Sequence, residues 1–414
     1  MRARALPMAR ALVERGHRVT ILMPPWHTPA EAGRAWNDDT VPAGVPGVQL
    51  EYISLAGLQL PFLGHAIVAL RMARRAMALR PDVVHAFKPK AYSGLAAGFL
   101  RAYGHLSSRQ RFALVMDTDD WEGPGGWNDL EPYSGVERRF FAWQERWGLA
   151  HADAVTVASR ALETLVWAMG VPPAQVLYLP NALGGDTASA AAAASAAPTA
   201  ATGGAMTSAT SSDHPIESTT TSDQAPIGPN LLLYTRFFEF NLDRPLLILA
   251  KVNERFPAAR LIVAGKGLFG EEQAFLAAAE AAGLASAVDY RGWVEPAQAA
   301  ALFAQADVAL YPFEDTLINR TKSAVKLLEL LDAGLPVVAD AVGQNAEVIQ
   351  DGVSGRLVWG RDTEAFAEAV CSLLADPAAR ERMGKAAHSR VRDSFNWSRQ
   401  VLELEELYSR VAMR

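Results

Sequence analysis

Leu327-Leu-Glu-Leu-Leu-Asp-Ala-Gly-Leu-Pro-Val-Val-Ala339 runs from a helical pattern straight into a short strand, Pro336–Ala339. The same succession, short apolar or β-branched runs alternating with longer helical patterns, fills both halves of the chain. Such alternation marks βα units, which build a parallel sheet with helices on both faces. In the second half it predicts strands at Leu231–Tyr234, Arg260–Ala264, Val288–Tyr290, Val308–Tyr311, Pro336–Ala339 and Arg356–Val358, with helices near 243–256, 271–283, 296–305, 322–333 and 362–375. In the first half it predicts strands at Arg18–Met23, Val48–Ile53, Asp82–His85, Phe112–Met116, Ala154–Val157 and Val176–Leu179, with helices near 3–15, 61–79, 91–103, 135–150 and 159–169. In the tail, Phe395, Trp397, Val401, Leu404, Tyr408 and Val411 recur mostly at three- or four-residue steps, the pattern of an amphipathic helix docking on a folded surface.

A chain of 414 residues is long for one domain. The reading is two α/β domains, 1–183 and 230–394, followed by the helix of 395–414. Between them, 184–229 is Ala-, Ser-, Thr- and Gly-rich with almost no large apolar side chains, the composition of a disordered linker or insertion. A net charge of -6 argues against a nucleic-acid partner. The single cysteine, Cys371, excludes an internal disulfide and a thiolate cluster for a structural metal. The most apolar stretch, Leu55 to Met72, is interrupted by Gln59, Pro61, His65 and Arg71 and is too polar to span a bilayer. The start, Met1-Arg-Ala-Arg-Ala, lacks the apolar core of a secretory signal. The expected location is the cytoplasm. An apolar face near Leu58–Met77, flanked by Arg71, Arg74 and Arg75, also suits peripheral contact with the inner face of the membrane, against the plainer reading of a half-buried helix with a solvated basic side.

A doubly wound domain opens with a strand and a Gly-containing turn before its first helix. Here 3–17 is helical in pattern from the outset, so the first strand is expected to be missing.

Four stretches, Ala11-Leu-Val-Glu-Arg-Gly-His-Arg-Val-Thr-Ile-Leu22, Arg80-Pro-Asp-Val-Val-His-Ala-Phe87, Tyr178-Leu-Pro-Asn-Ala182 and Leu327–Ala339, together and in this order resemble glycosyltransferase family 4. The resemblance covers nearly all of the chain outside the linker. It implies the GT-B fold, two Rossmann-like domains facing across a cleft with a last helix crossing back to the first. It also implies retention of anomeric configuration, a nucleoside-diphosphate sugar as donor substrate, and neither a bound metal nor another cofactor. The acceptor is then a glycan, a lipid or a small molecule. Rival readings are a sugar-nucleotide epimerase of the same fold and a non-catalytic nucleotide-sugar-binding protein.

From Tyr311 to Glu329 a strand ends, a polar loop follows and a helix begins. Ligands of such sheets bind outside the carboxyl ends of strands, and helix starts offer N–H groups to phosphate oxygens, so the donor diphosphate is expected here. By resemblance, Glu329 is the second carboxylate of a Glu-x7-Glu motif and accepts hydrogen bonds from ribose hydroxyls. The first carboxylate falls at Thr321, with Lys322 and Ser323 beside it; Glu314 and Asp315 are candidates to supply the lost acceptor. Arg236 matches a diphosphate-binding arginine whose planar fork offsets the charge of the leaving nucleotide; the alternative is an ion pair with Glu239 or Asp243. Relatives often carry a lysine five residues later, where Asn241 stands, and Lys266 and Lys322 are candidates to compensate. Gly265 and Gly267 read as a tight turn, with Gly267 the residue at φ > 0.

In the first half, Val115-Met-Asp-Thr-Asp-Asp-Trp-Glu-Gly-Pro-Gly-Gly-Trp-Asn-Asp129 follows a strand and combines carboxylates, glycines and two indoles. Trp121 and Trp127 offer flat faces to sugar rings, and with Asp117, His85 and Lys88 they are the expected acceptor wall. Clustered acids raise one another's pKa, which makes Asp119 and Asp120 candidates for proton transfer. The plainer alternatives are a turn whose aspartates cap backbone N–H groups and a structural histidine at 85. Asn181 is expected to organise the crossover between domains.

Overall fold

The computed structural model describes residues 4–23, 46–53, 63–106, 112–184 and 228–413. The expected linker therefore lies, but for its ends, outside the described residues.

In the second domain the strands are β7 (Asn230–Tyr234), β8 (Arg260–Ala264), β9 (Val288–Gly292), β10 (Val308–Tyr311), β11 (Val337–Asp340) and β12 (Arg356–Val358), here numbered after the first domain's β1–β6. They form one parallel sheet in the order β12-β11-β10-β7-β8-β9. The chain winds outward from β7 in one direction and then crosses to β10 to wind in the other. The crevice beyond the carboxyl ends of β7 and β10 is the switch point where open parallel sheets bind ligands. Leu231, Leu233, Val263 and Leu310 pack on one face; Leu232, Ile262, Ala309 and Val337 pack on the other. Burial on both faces explains why these strands read as unbroken apolar runs.

In the first domain the strands are β1 (Val19–Met23), β2 (Val48–Tyr52), β3 (Val83–Phe87), β4 (Ala113–Thr118), β5 (Ala154–Val157) and β6 (Val176–Tyr178). β3-β4-β5-β6 form one parallel sheet, and β1 pairs in parallel with β2. Among the described residues β1 and β3 are not joined; both line a cleft of about 1840 Å³ that continues to the face opposing the second domain.

The helix Trp397–Ala412 returns to the first domain. Its Trp397, Val401, Leu404 and Leu407 pack with Met8, Leu12, Val115 and Leu179. Full burial of each such side chain is worth roughly 1.5–3 kcal/mol, enough to make this crossing a structural clamp. The Asn396 side chain caps the helix by accepting from Arg399 N.

Two expectations need correcting. The helix expected over 322–333 begins at Val325, after a separate turn of helix at Leu317–Thr321, so Lys322 and Ser323 lie in extended chain between them. A helix at Pro377–Ser394 was not expected; its apolar stripe, Met383, Ala387 and Val391, is narrow in a polar sequence, although Asp376 capping Ala379 N with Pro377 behind it is a start signal.

Candidate active site

The turn after β7 is built by hydrogen bonds rather than by glycine. Thr235 Oγ1 donates to Glu239 Oε2 (3.0 Å), which also accepts from Arg236 N (3.2 Å), while Phe237 N donates back to Thr235 Oγ1 (2.8 Å). Phe237 sits at φ 69, a left-handed conformation that non-glycine residues adopt at a cost and that clusters at functional sites. Across the turn, Gly265 has φ 136, and a Cβ there would meet the Thr235 carbonyl oxygen at 1.8 Å. The positive φ belongs to Gly265, correcting the expectation for Gly267. Lys266 is exposed on this loop.

Two lysines converge on the turn. Lys322 Nζ donates to Glu239 Oε1 at 2.6 Å and lies over the rings of Phe238 and Phe313, 4.4 and 5.4 Å from their centroids. Lys326 Nζ donates to Thr235 O at 2.8 Å and lies over Tyr234. Burial, reinforced by repulsion from Lys322 and Arg236 and opposed by Glu239 and Glu329, pushes Lys326 down to about 8. Glu329 is one helical turn beyond Lys326 and accepts a hydrogen bond from Tyr234; burial raises its pKa against the pull of Lys326 and that hydrogen bond. Arg236 and Glu329 both act on Lys326, which sets the three charges near one another at the end of β7. The Arg236 guanidinium is exposed and has no ion pair among the described residues, because Glu239 is held by Lys322.

The loop after β10 is fixed from below. Asp340 forms a buried two-pronged ion pair with Arg244 (2.5 and 2.8 Å), and its Oδ2 also accepts from Phe313 N. Asn319 Nδ2 donates to the carbonyls of Glu239 and Glu314.

Four expected donor contacts are used otherwise. Thr321 is buried, its hydroxyl donates to the Leu317 carbonyl, and its own carbonyl accepts from Ser159 Oγ of the first domain (2.8 Å). Ser323 accepts from Asn181 at both Oγ and O (2.9 and 2.7 Å). Both therefore face the domain seam, where Asn181 was expected and is found. Glu314 is paired with Arg361 and Asp315 with Arg320, which directs both carboxylates to arginines instead of to a sugar.

On the opposite wall, Lys88 follows β3 at φ 60 and Ala91 comes next at φ 51. Gln144 clamps Ala91 through both backbone groups (3.0 and 3.1 Å). Lys88 Nζ lies 3.0 Å from Asp120, 3.4 Å from Glu122 and 3.6 Å from Asp119; Lys90 Nζ donates to Glu122 at 2.8 Å. Burial opposes charge on Lys88, but the surrounding carboxylates prevail and hold it cationic. Burial also lifts Asp120, an effect Lys88 opposes and Asp119 adds to; Asp119 is held low by Lys88 and Arg4 in spite of its burial. Glu145, almost wholly buried, accepts from Glu122 N (3.1 Å), and burial pushes it up to about 8.

Two acceptor-side expectations, Asp117 and Trp121, are corrected, and His85 keeps its place in the cleft while also serving the fold. Asp117 is fully buried beneath the wall, gripped by Arg4 (2.6–3.0 Å) and by Thr156 Oγ1 (2.5 Å). His85 is hydrogen-bonded to Tyr408 of the crossing helix and to Thr156 while still lining the cleft, and burial lowers it to about 4, which favours the neutral ring. Trp121 packs in the first-domain core with Nε1 donating to Pro124 O. Trp127 instead reaches across the cleft, edge-to-face with Phe238 at 5.0 Å. Lys88, Asp119 and Glu122 share the cleft with Arg236. Sequence reasoning missed Lys326 and placed Glu239 only as an alternative partner of Arg236; the signal for Lys326 was its three-residue spacing from Glu329 on one helix face.

Two facing parallel-sheet domains joined by a crossing helix are the GT-B architecture. The family description "Glycosyl transferase 4-like domain" matches residues 1–182, and "Glycosyl transferases group 1" matches 229–376. The phosphatidyl-myo-inositol mannosyltransferase of Mycobacterium leprae is 31% identical over 188 residues, 45% of this chain and 48% of that protein. The match thus spans about half the length of that curated relative. A sucrose-phosphate synthase from Thermosynechococcus elongatus superposes with TM-score 0.66 at 19% identity, covering 97% of this chain and 91% of that one. Anabaena HepE, solved with UDP and glucose, gives TM-score 0.59 at 15% identity, covering 88% and 86%. The chain belongs to the GT-B glycosyltransferases of this group-1, family-4-like kind.

Proposed function

We propose that the protein transfers a sugar from a nucleoside-diphosphate donor to an acceptor hydroxyl, with retention and without a metal or other cofactor. The observation that carries this reading is the convergence of charge at the ends of β7 and β10, where Lys322 is held on Glu239 and Lys326 on the Thr235 carbonyl, with Arg236 and Glu329 both close enough to act on Lys326. Such a set suits a diphosphate, with the ribose hydroxyls on Glu329. The bond from the anomeric carbon to the diphosphate oxygen breaks while the acceptor oxygen bonds on the same face. Arg236 and the lysines offset the charge of the departing nucleotide. Asp120, whose proton affinity is raised, is our assignment for relaying the acceptor's proton, with Asp119 and Lys88 setting its charge. Closure of the two walls excludes water and suppresses donor hydrolysis.

A GDP-mannose-dependent mannosyltransferase of Mycolicibacterium smegmatis, 30% identical over 175 residues, and the UDP-bound neighbour support a nucleotide sugar as donor. The acceptor in this reading is a glycan, lipid or small molecule, and the site of action is the cytoplasm, peripheral to the membrane for a lipid. No helix of the described residues is long and apolar enough to cross a membrane. A thermal-shift screen over nucleotide sugars tests the reading, since a ligand selective for the native state raises apparent stability. Stabilisation by at least one of them supports it, and none across the panel refutes it.

A further inference from the structure

The helix Gly135–His151 carries its side chains inside out. Its inner face buries Gln144, Glu145, Gly148 and Leu149, while Val136, Phe140 and Trp143 are 78%, 40% and 55% exposed. These three and Trp147 follow one another at i, i+4, i+7 and i+11, a single stripe along the helix. The rings lie against one another, Phe140 on Trp143 at 5.9 Å, Trp143 near Trp147 at 6.2 Å and Trp147 on His151 at 4.5 Å. An exposed aromatic run of this kind marks an interaction surface.

Charge identifies what covers it. Arg139 and Arg146 are exposed beside the stripe and make no ion pair among the described residues. On the same helix Glu145 is buried and Glu137 is tied into the N-terminal cap with Ser134. The helix thus presents unpaired cations and indoles in a chain whose net charge is -6. Indoles settle at the headgroup level of a bilayer, and arginines there meet anionic phosphates. The inner edge of the same segment, Tyr133 and Phe141, lines the cleft next to Lys90, so the exposed stripe leads directly to the acceptor wall.

We propose that the outer face of Gly135–His151 seats the protein on an anionic bilayer surface. This locates the peripheral contact on a different helix from the Leu58–Met77 stretch that the sequence suggested. It goes beyond the transferase reading without depending on it; combined with that reading, it selects a lipid-borne acceptor.

The test is co-sedimentation of the full chain with vesicles of phosphatidylcholine alone and of phosphatidylcholine with an equal amount of phosphatidylglycerol. Binding is expected on the anionic vesicles and is weakened by salt, which shortens electrostatic reach to about 3 Å at 1 M. Each arginine near the surface contributes enough that Arg139→Gln with Arg146→Gln lowers partitioning about tenfold or more. Phe140→Ser with Trp143→Ser lowers it comparably while leaving the melting temperature and nucleotide-sugar binding unchanged, readouts that separate lost docking from misfolding or loss of the donor site. Quenching of tryptophan emission by brominated lipid, reduced in Trp143→Phe, places the indole in the interface. Equal sedimentation of wild type and both double variants overturns the proposal. So does absence of vesicle binding, including the case where the stripe holds a second copy and the aromatic variants only dissociate a dimer in sedimentation velocity.

Discussion

Replacing Glu145 by Gln should make the protein more stable in alkaline solution and change little in acid. Glu145 is almost completely withdrawn from water, and one of its oxygens has no hydrogen-bond partner. Burial lifts its pKa from the ordinary 4.5 to about 8, so the folded protein binds this proton more tightly than the unfolded chain. A raised pKa contributes stability that is fully present below the unfolded value and declines as pH rises toward the folded one. The window therefore opens near 4.5 and closes near 8. At 1.36 kcal/mol per unit, the difference amounts to about 4–5 kcal/mol across it, an upper bound because water penetration and relaxation reduce it. Glutamine keeps the shape and the carbonyl that accepts from Glu122 N but has no proton to lose. Urea unfolding of wild type and Glu145→Gln from pH 5 to pH 9 should show the wild type losing stability relative to the variant by ~2–4 kcal/mol. Parallel curves for the two proteins across that range would refute the assignment of a neutral buried Glu145.

Lys326, lowered to about 8, should add a pH dependence to donor binding: nucleoside-diphosphate affinity falls as pH rises through that value, and Lys326→Gln, read by calorimetry, is weaker at pH 7 but flat between pH 7 and pH 9. Asp117→Ala should cost about 3–5 kcal/mol in urea unfolding, because it strands the buried Arg4 guanidinium. An unchanged unfolding midpoint with a raised acceptor KM would restore Asp117 to the acceptor wall.

The sheets were legible because their strands are short and the central ones apolar and buried on both faces; Ala154–Val157, Arg260–Ala264, Val308–Tyr311 and the edge strand Arg356–Val358 coincide with the structure residue for residue. The helix Pro377–Ser394 was missed because its buried stripe, Met383, Ala387 and Val391 at four-residue steps, is narrow in an otherwise polar run. At the site, residue type did not reveal orientation. Asp117, Asp119 and Asp120 look alike in sequence, yet Asp117 is still within β4 and turned inward to Arg4, 113 positions away, while the other two follow the strand and meet Lys88. Thr321 departs from the carboxylate motif at a position that the fold turns into the domain seam, so the difference became interpretable only with Ser159 beside it. The same limit applies to Trp121 and Trp127, one filling a core and the other crossing to Phe238.

The central claim is that Glu329 and Arg236 hold opposite ends of one nucleotide. Calorimetric titration of a nucleoside diphosphate, its 2′-deoxy analogue and the unphosphorylated nucleoside into wild type, Glu329→Ala and Arg236→Ala separates the two ends. Glu329→Ala should lose the preference for the ribose form, while Arg236→Ala should weaken both diphosphates and leave the nucleoside unchanged. Retention of the ribose preference in Glu329→Ala, or equal diphosphate affinity in Arg236→Ala and wild type, would contradict it.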